Sequence, residues 1–174
     1  MFKILLIAST FLLVVSFLSC SNEDYSEEGI KQICESIDTL LYNVKSEEYD
    51  WGSGEAYSYF TAFYYDSRLI FINERLNYRN DGEAINWYYI HRNNMIKFVE
   101  RRNVYKNNSE DAGKRKTMHD LVLFITPSGQ VINYKKVINR KKESLSSDES
   151  EWIYNHSKEL LSIVKNRSKI LKAK

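Results

Sequence analysis

Between residues 55 and 138 the chain is a succession of short segments rich in Tyr, Phe, Ile and Val, separated by clusters of turn residues, and this spacing constrains the fold more than any other feature. Asp66-Ser67, Asn80-Asp81-Gly82, Asn93-Asn94 and Pro127-Ser128-Gly129 supply the side chains that tolerate a reversed backbone. Such links are too short for a crossover helix, so the strands they join are antiparallel neighbours. The segments predict six strands, at 55–65, 68–76, 83–91, 95–104, 119–126 and 131–138. Residues 105–117 hold Asn107, Asn108, Gly113 and a run of charge, and read as a long connection.

Helical spacing flanks the strands. Ile30, Ile33, Cys34, Ile37, Leu40, Leu41 and Val44 recur every three or four residues and predict a helix over 29–44. Trp51-Gly52-Ser53-Gly54 then breaks the pattern. A second helix is expected over 148–164, with Asp148 as N-cap, Glu151 completing a capping box and Trp152, Ile153, His156, Leu160, Ile163 and Val164 on one face. A basic tail follows to Lys174. At 174 residues with 43% hydrophobic and 28% charged content, one ordered domain is expected. The expected fold is α+β in two layers: an N-terminal helix, a six-stranded antiparallel meander and a C-terminal helix, all within 29–174. One helical layer covers one sheet face, which leaves the other for solvent, a partner or a ligand.

Ahead of this domain lies Met1-Phe2-Lys3, then fifteen mostly apolar residues from 4 to 18, then Ser19-Cys20 and the acidic stretch Ser21-Asn22-Glu23-Asp24-Tyr25-Ser26-Glu27-Glu28. Fifteen helical residues reach only about 22 Å, short of the roughly 30 Å hydrocarbon core. The layout is that of an export signal over 1–19 followed by an acidic tether over 20–28. It resembles a bacterial lipoprotein leader of the signal peptidase II type, and the acidic residues after the cysteine look like lipoproteins of the Bacteroidota. Phe17 departs from that pattern, in which Leu is commonest three residues before the cysteine. The resemblance implies lipid attachment at Cys20 and an outer-membrane anchor on the periplasmic or cell-surface side of the envelope. Ser21, in place of Asp, argues by the same resemblance against retention at the inner membrane. Two or more acyl chains on one residue hold a protein to a bilayer stably, where one holds it marginally.

Thirteen tyrosines help raise the aromatic content to 14%, and strand periodicity places them on both faces. Tyr57 and Tyr59 share one face of the first strand, and Trp87 and Tyr89 share one face of the third. These four are the candidate binding face, since tyrosine and tryptophan join large apolar area to a polar tip. The competing reading is cross-strand pairing that stabilises the sheet itself. Cys34 lies on the helical stripe and reads as a small core residue.

Catalysis has thin support. His91, His119 and His156 fall in different elements with no HExxH or HxH spacing, so no metal site is expected. GxSxG, GxGxxG and Walker patterns are absent, and no cofactor is expected. Glu74, Glu83 and Glu100 sit on predicted strands, where an acid and a base can meet by folding. Residues 21–90 carry five Lys or Arg against fourteen Asp or Glu, and residues 91–174 carry nineteen against nine. Export and the two-sidedness of strands argue against reading the basic clusters Arg101-Arg102, Lys114-Arg115-Lys116, Lys135-Lys136 and Arg140-Lys141-Lys142 as a nucleic-acid surface. The expected function is a non-enzymatic, envelope-anchored module that binds a protein, peptide or glycan. The alternatives are a small envelope-polymer hydrolase and an inhibitor or immunity-type protein.

Overall fold

The computed structural model describes residues 23–53, 56–78, 82–106 and 115–172. The leader 1–19, Cys20, the turn residues Asn80 and Asp81, Asn107, Asn108, Gly113 and Lys114 lie outside the described residues.

Helix α1 spans Glu27–Leu40. Ser26 caps it, its hydroxyl accepting from the Gly29 amide, while Glu27 and Glu28 sit at the positive end of the helix dipole. It therefore starts two residues before the expected 29. It ends four residues before the expected 44, running into a 3₁₀ turn at Leu41–Asn43. Ile30, Cys34 and Ile37 are its buried stripe.

Eight strands follow: β1 Lys45–Ser53, β2 Ala56–Tyr65, β3 Arg68–Asn77, β4 Gly82–His91, β5 Asn94–Lys106, β6 Arg115–Ile125, β7 Val131–Ile138 and β8 Lys141–Glu143. They pair in sequence order, each antiparallel to the next. The meander is as expected, but with two further strands, one at each edge. β1 went unseen because an edge strand has one neighbour and need not carry apolar alternation. Among its described side chains only Tyr49 is buried, and Glu47, Glu48 and Asp50 face water. β8 is three exposed residues, held by a hairpin at Asn139-Arg140 whose φ values of 47° and 69° are those of a type I′ turn. Asp66-Ser67 makes the same turn as expected, while the turn between β4 and β5 lies at Arg92-Asn93 and not Asn93-Asn94. The connection expected over 105–117 is also shorter, since β5 runs to Lys106 and β6 begins at Arg115.

Helix α2 spans Ser147–Lys172, continuing through the tail expected to follow Val164. Its cap is Ser146, whose hydroxyl accepts from the Glu149 amide at 3.2 Å, so Asp148 lies in the first turn and is not the N-cap. Ile153, Leu160 and Val164 join Tyr49, Phe60, Ile72, Tyr88, Phe98, Leu121 and Leu123 in the main core. Ile30 and Cys34 of α1 pack instead on Ile96 and Phe124. Phe124 is the immediate neighbour of Leu123 on one strand, so the two helices cover opposite faces of the sheet. This replaces the two-layer expectation with helix, sheet and helix.

The two helices cover unequal areas. α2 reaches from β7, where Lys136 Nζ meets Glu149 Oε2 at 2.6 Å, to β1, where Arg167 Nη1 donates to the Glu48 carbonyl at 2.7 Å. Eighteen residues of helix advance about 27 Å, close to the roughly 29 Å across six interstrand spacings. α1 reaches only from β7 to β4, through Glu27 with Asn133 at 2.7 Å and Asp38 with Tyr89 at 2.9 Å. It also lies over one end of the strands. Among the described residues no other element covers the rest of that face.

Candidate functional site

The cross-strand register arranges the open face in rows. Ser46, Phe63, Phe71, Tyr89 and Lys97 form the row nearest α1. Beyond it come Glu48, Thr61, Asn73, Trp87 and Val99, then Asp50, Tyr59, Arg75, Ile85 and Arg101, then Gly52, Tyr57, Asn77 and Glu83. The four aromatic candidates do share one face, as expected, but not one environment. Tyr57 and Tyr59 are 45% and 59% exposed. Their rings meet edge to face at 5.0 Å and their hydroxyls hydrogen-bond at 2.9 Å. Trp87 lies beneath the Arg101 guanidinium at 5.9 Å, and Arg101 reaches Asp120 at 3.4 Å. Tyr89 is different. Its hydroxyl donates to Asp38 of α1, its ring packs on Phe71 at 5.1 Å, and the Lys97 ammonium sits 4.5 Å from its centre. It fastens the helix to the sheet.

Two shallow hollows of about 380 and 240 Å³ lie on either side of the Tyr59 and Arg75 pair. Glu48, Thr61 and Asn73 line the larger and Tyr57, Asn77, Glu83 and Ile85 the smaller. Asn73 Oδ1 is buried at the larger hollow with no hydrogen-bond partner, an acceptor that a bound donor would satisfy. Exposed rings beside amide, guanidinium and carboxylate groups can stack on and hydrogen-bond to a ligand. The arrangement is suited to holding a partner.

The opposite face holds a second polar cluster, enclosed by α2. Glu74, fully buried, accepts from Tyr88 Oη at 2.6 Å and Asn86 Nδ2 at 3.0 Å, and its other oxygen lies 2.9 Å from His156 Nε2. Burial pushes the Glu74 carboxyl up, but the hydrogen bond and charge of His156, with Tyr88 and Asn86, hold it below its ordinary value overall. Glu100, on the same face, is held above its ordinary value by burial, which the Arg102 guanidinium at 3.5 Å offsets only in part. Glu83 lies on the other face, so the three carboxylates do not converge. Although a Glu–His pair can exchange protons, Glu74, Asn86 and Tyr88 have no exposed surface and His156 only 4%. Neither hollow touches the pair.

Folding brings His156 to Glu74, 82 positions away, while its Nδ1 lies 3.9 Å from the local Glu159. The available signal was parity, because Glu74 stands between Ile72 and Leu76 on the inward face of β3. The other histidines also find partners, His119 with Arg102 at 3.3 Å and His91 with Glu23 at 3.0 Å. Burial, then Arg102, lowers the His119 pKa. Cys34 is buried as expected, and its thiol is pushed up to about 12 by that burial. Among the described residues no group of three or more His, Cys, Asp or Glu gathers to hold a metal, and no helix is long and apolar enough to cross a membrane. Comparison with protein-family models, with curated proteins and with solved structures gives no match to this chain.

Proposed function

We propose that this protein is an envelope-anchored, non-enzymatic binding module that engages a protein, peptide or glycan through the open face of its sheet. The observation that carries this reading is the coincidence of exposed Tyr57 and Tyr59, Trp87 beneath Arg101, and two hollows on the part of the sheet that neither helix covers. A monomeric domain seldom leaves such aromatic area to solvent without a use for it. The enclosure of the Glu74 and His156 pair favours binding over the hydrolase alternative. The lipoprotein-type leader supplies the address, with the outer membrane reached through acylated Cys20.

The test is photocrosslinking in the native envelope, with a photoreactive residue at Tyr59 on the open face or at Trp152, 45% exposed on α2. A discrete adduct from position 59 and none from 152 is expected. Protease or glycosidase sensitivity of that adduct then names the partner's class. Equal labelling from both positions, or none from 59, would overturn the open face as the binding surface.

A further inference from the structure

Glu23, the first described residue, is pinned to the body of the domain. Its carboxylate accepts from Tyr25 Oη and lies 3.0 Å from His91 Nε2 and 2.6 Å from Arg92 Nη2. Asp24 folds back over the start of α1 so closely that a Cβ at Gly29 would stand 2.0 Å from the Asp24 carbonyl oxygen. His91 ends β4 and Arg92 opens the β4–β5 turn, so Glu23 sits at that turn. Cys20 is three residues away, and three residues span at most about 11 Å. An anchor at Cys20 therefore holds this end of the domain against the bilayer.

The register shows what else lies there. The Asp66-Ser67 turn between β2 and β3, the start of β1 opposite Tyr64, and the β6–β7 turn are all at the same end. Tyr42, just before β1, is 94% exposed, and Tyr65 is 39% exposed. Lys45 and Arg68 are exposed, Arg92 is paired with Glu23, and the exposed carboxylates Asp24, Glu28 and Asp66 lie at the same end. Tyrosine rings favour the headgroup layer, and the long stems of lysine and arginine reach into it. We infer that this end of the sheet, with Tyr42, Tyr65, Lys45 and Arg68, is a contact surface for the headgroup layer of the lipid membrane that Cys20 enters, and that the strands stand up from it. The inference rests on the proposed acylation of Cys20. It has a consequence for the open face. Tyr59 lies six residues up β2 from Tyr65, about 20 Å along the strand, with α1 on the membrane side of it. The binding face is held clear of the lipid.

Full-length acylated protein, purified from cells and reconstituted into vesicles of phosphatidylethanolamine and phosphatidylglycerol, provides the test. A fluorophore is placed on a single introduced cysteine, by Tyr42→Cys or Asn93→Cys at the near end and by Arg140→Cys at the far end. Cys34 is buried and does not compete for the label. Brominated lipids should quench either near-end label at least twofold more than the far-end label, and Gly29→Ala, which dislodges Asp24, should erase the difference. Protein that does not float with vesicles overturns the acylation reading and this inference together. Protein that floats but is quenched equally at both ends, or more at residue 140, overturns the orientation alone.

Discussion

His156 lies between two tryptophans, edge-on to Trp51 at 4.9 Å and stacked with Trp152 at 5.1 Å, and its Nε2 is buried against Glu74. Such a pair is held by the packing around it, and removing one member strands the other. Glu74→Gln should cost about 3 kcal/mol of stability, read by urea denaturation; a cost below about 1 kcal/mol would mean the cluster is not held as described. The two buried carboxylates also oppose each other in pH. Glu74 titrates below its ordinary value of 4.5, so its contribution is present above that value and is lost as pH falls through the lowered pKa. Glu100 titrates above 4.5, so its contribution is present at acid pH and is lost as pH rises through the raised pKa. Glu100→Gln should therefore be more stable than the parent at pH 7, with the difference vanishing below about pH 4 in thermal melts. At Cys20 the expectation is chemical. Cys20→Ala should abolish palmitate labelling and leave the precursor uncut, and retained labelling would remove the lipid from that residue.

Boundaries and caps are decided element by element. A cap was legible as a pattern near the start of the last helix, yet the capping residue is Ser146, because the chain is extended through β8 and first turns at Ser147. Ser146→Ala should cost about 1 kcal/mol in chemical denaturation and Asp148→Ala distinctly less. Gly82 opens β4 at φ 148°, and a Cβ there would stand 2.1 Å from the Asn103 carbonyl oxygen. Gly82→Ala should destabilise by about 2 kcal/mol or more by prising β4 from β5. The glycine was legible as a turn residue, but its close approach to β5 was not, since only the register brings Asn103 beside it. Strands β2 to β7 were legible because each alternates aromatic or β-branched residues between turn signals. β1 and β8 were not, because edge strands bury too little to leave a pattern.

At the scale of the molecule, the meander turns order along the chain into order across the sheet, so the acidic first half and basic second half become neighbouring regions of one surface. The main core needs α2, whose Ile153, Leu160 and Val164 close over residues from six strands. A chain ending at Ser146 should lack a cooperative melt and near-ultraviolet dichroism, and a sharp transition in that fragment would show the sheet to be self-sufficient. The class of the fold, the antiparallel order and the aromatic parity were readable from the sequence because they depend on local spacing: turn chemistry sets the pairing and period two sets the face. Which helix covers which face was not readable, since strands with apolar residues on both parities accept a helix on either side. That choice, made by packing between distant residues, put Tyr89 under α1, left Tyr57 and Tyr59 in the open, and gave His156 a carboxylate from the far side of the chain.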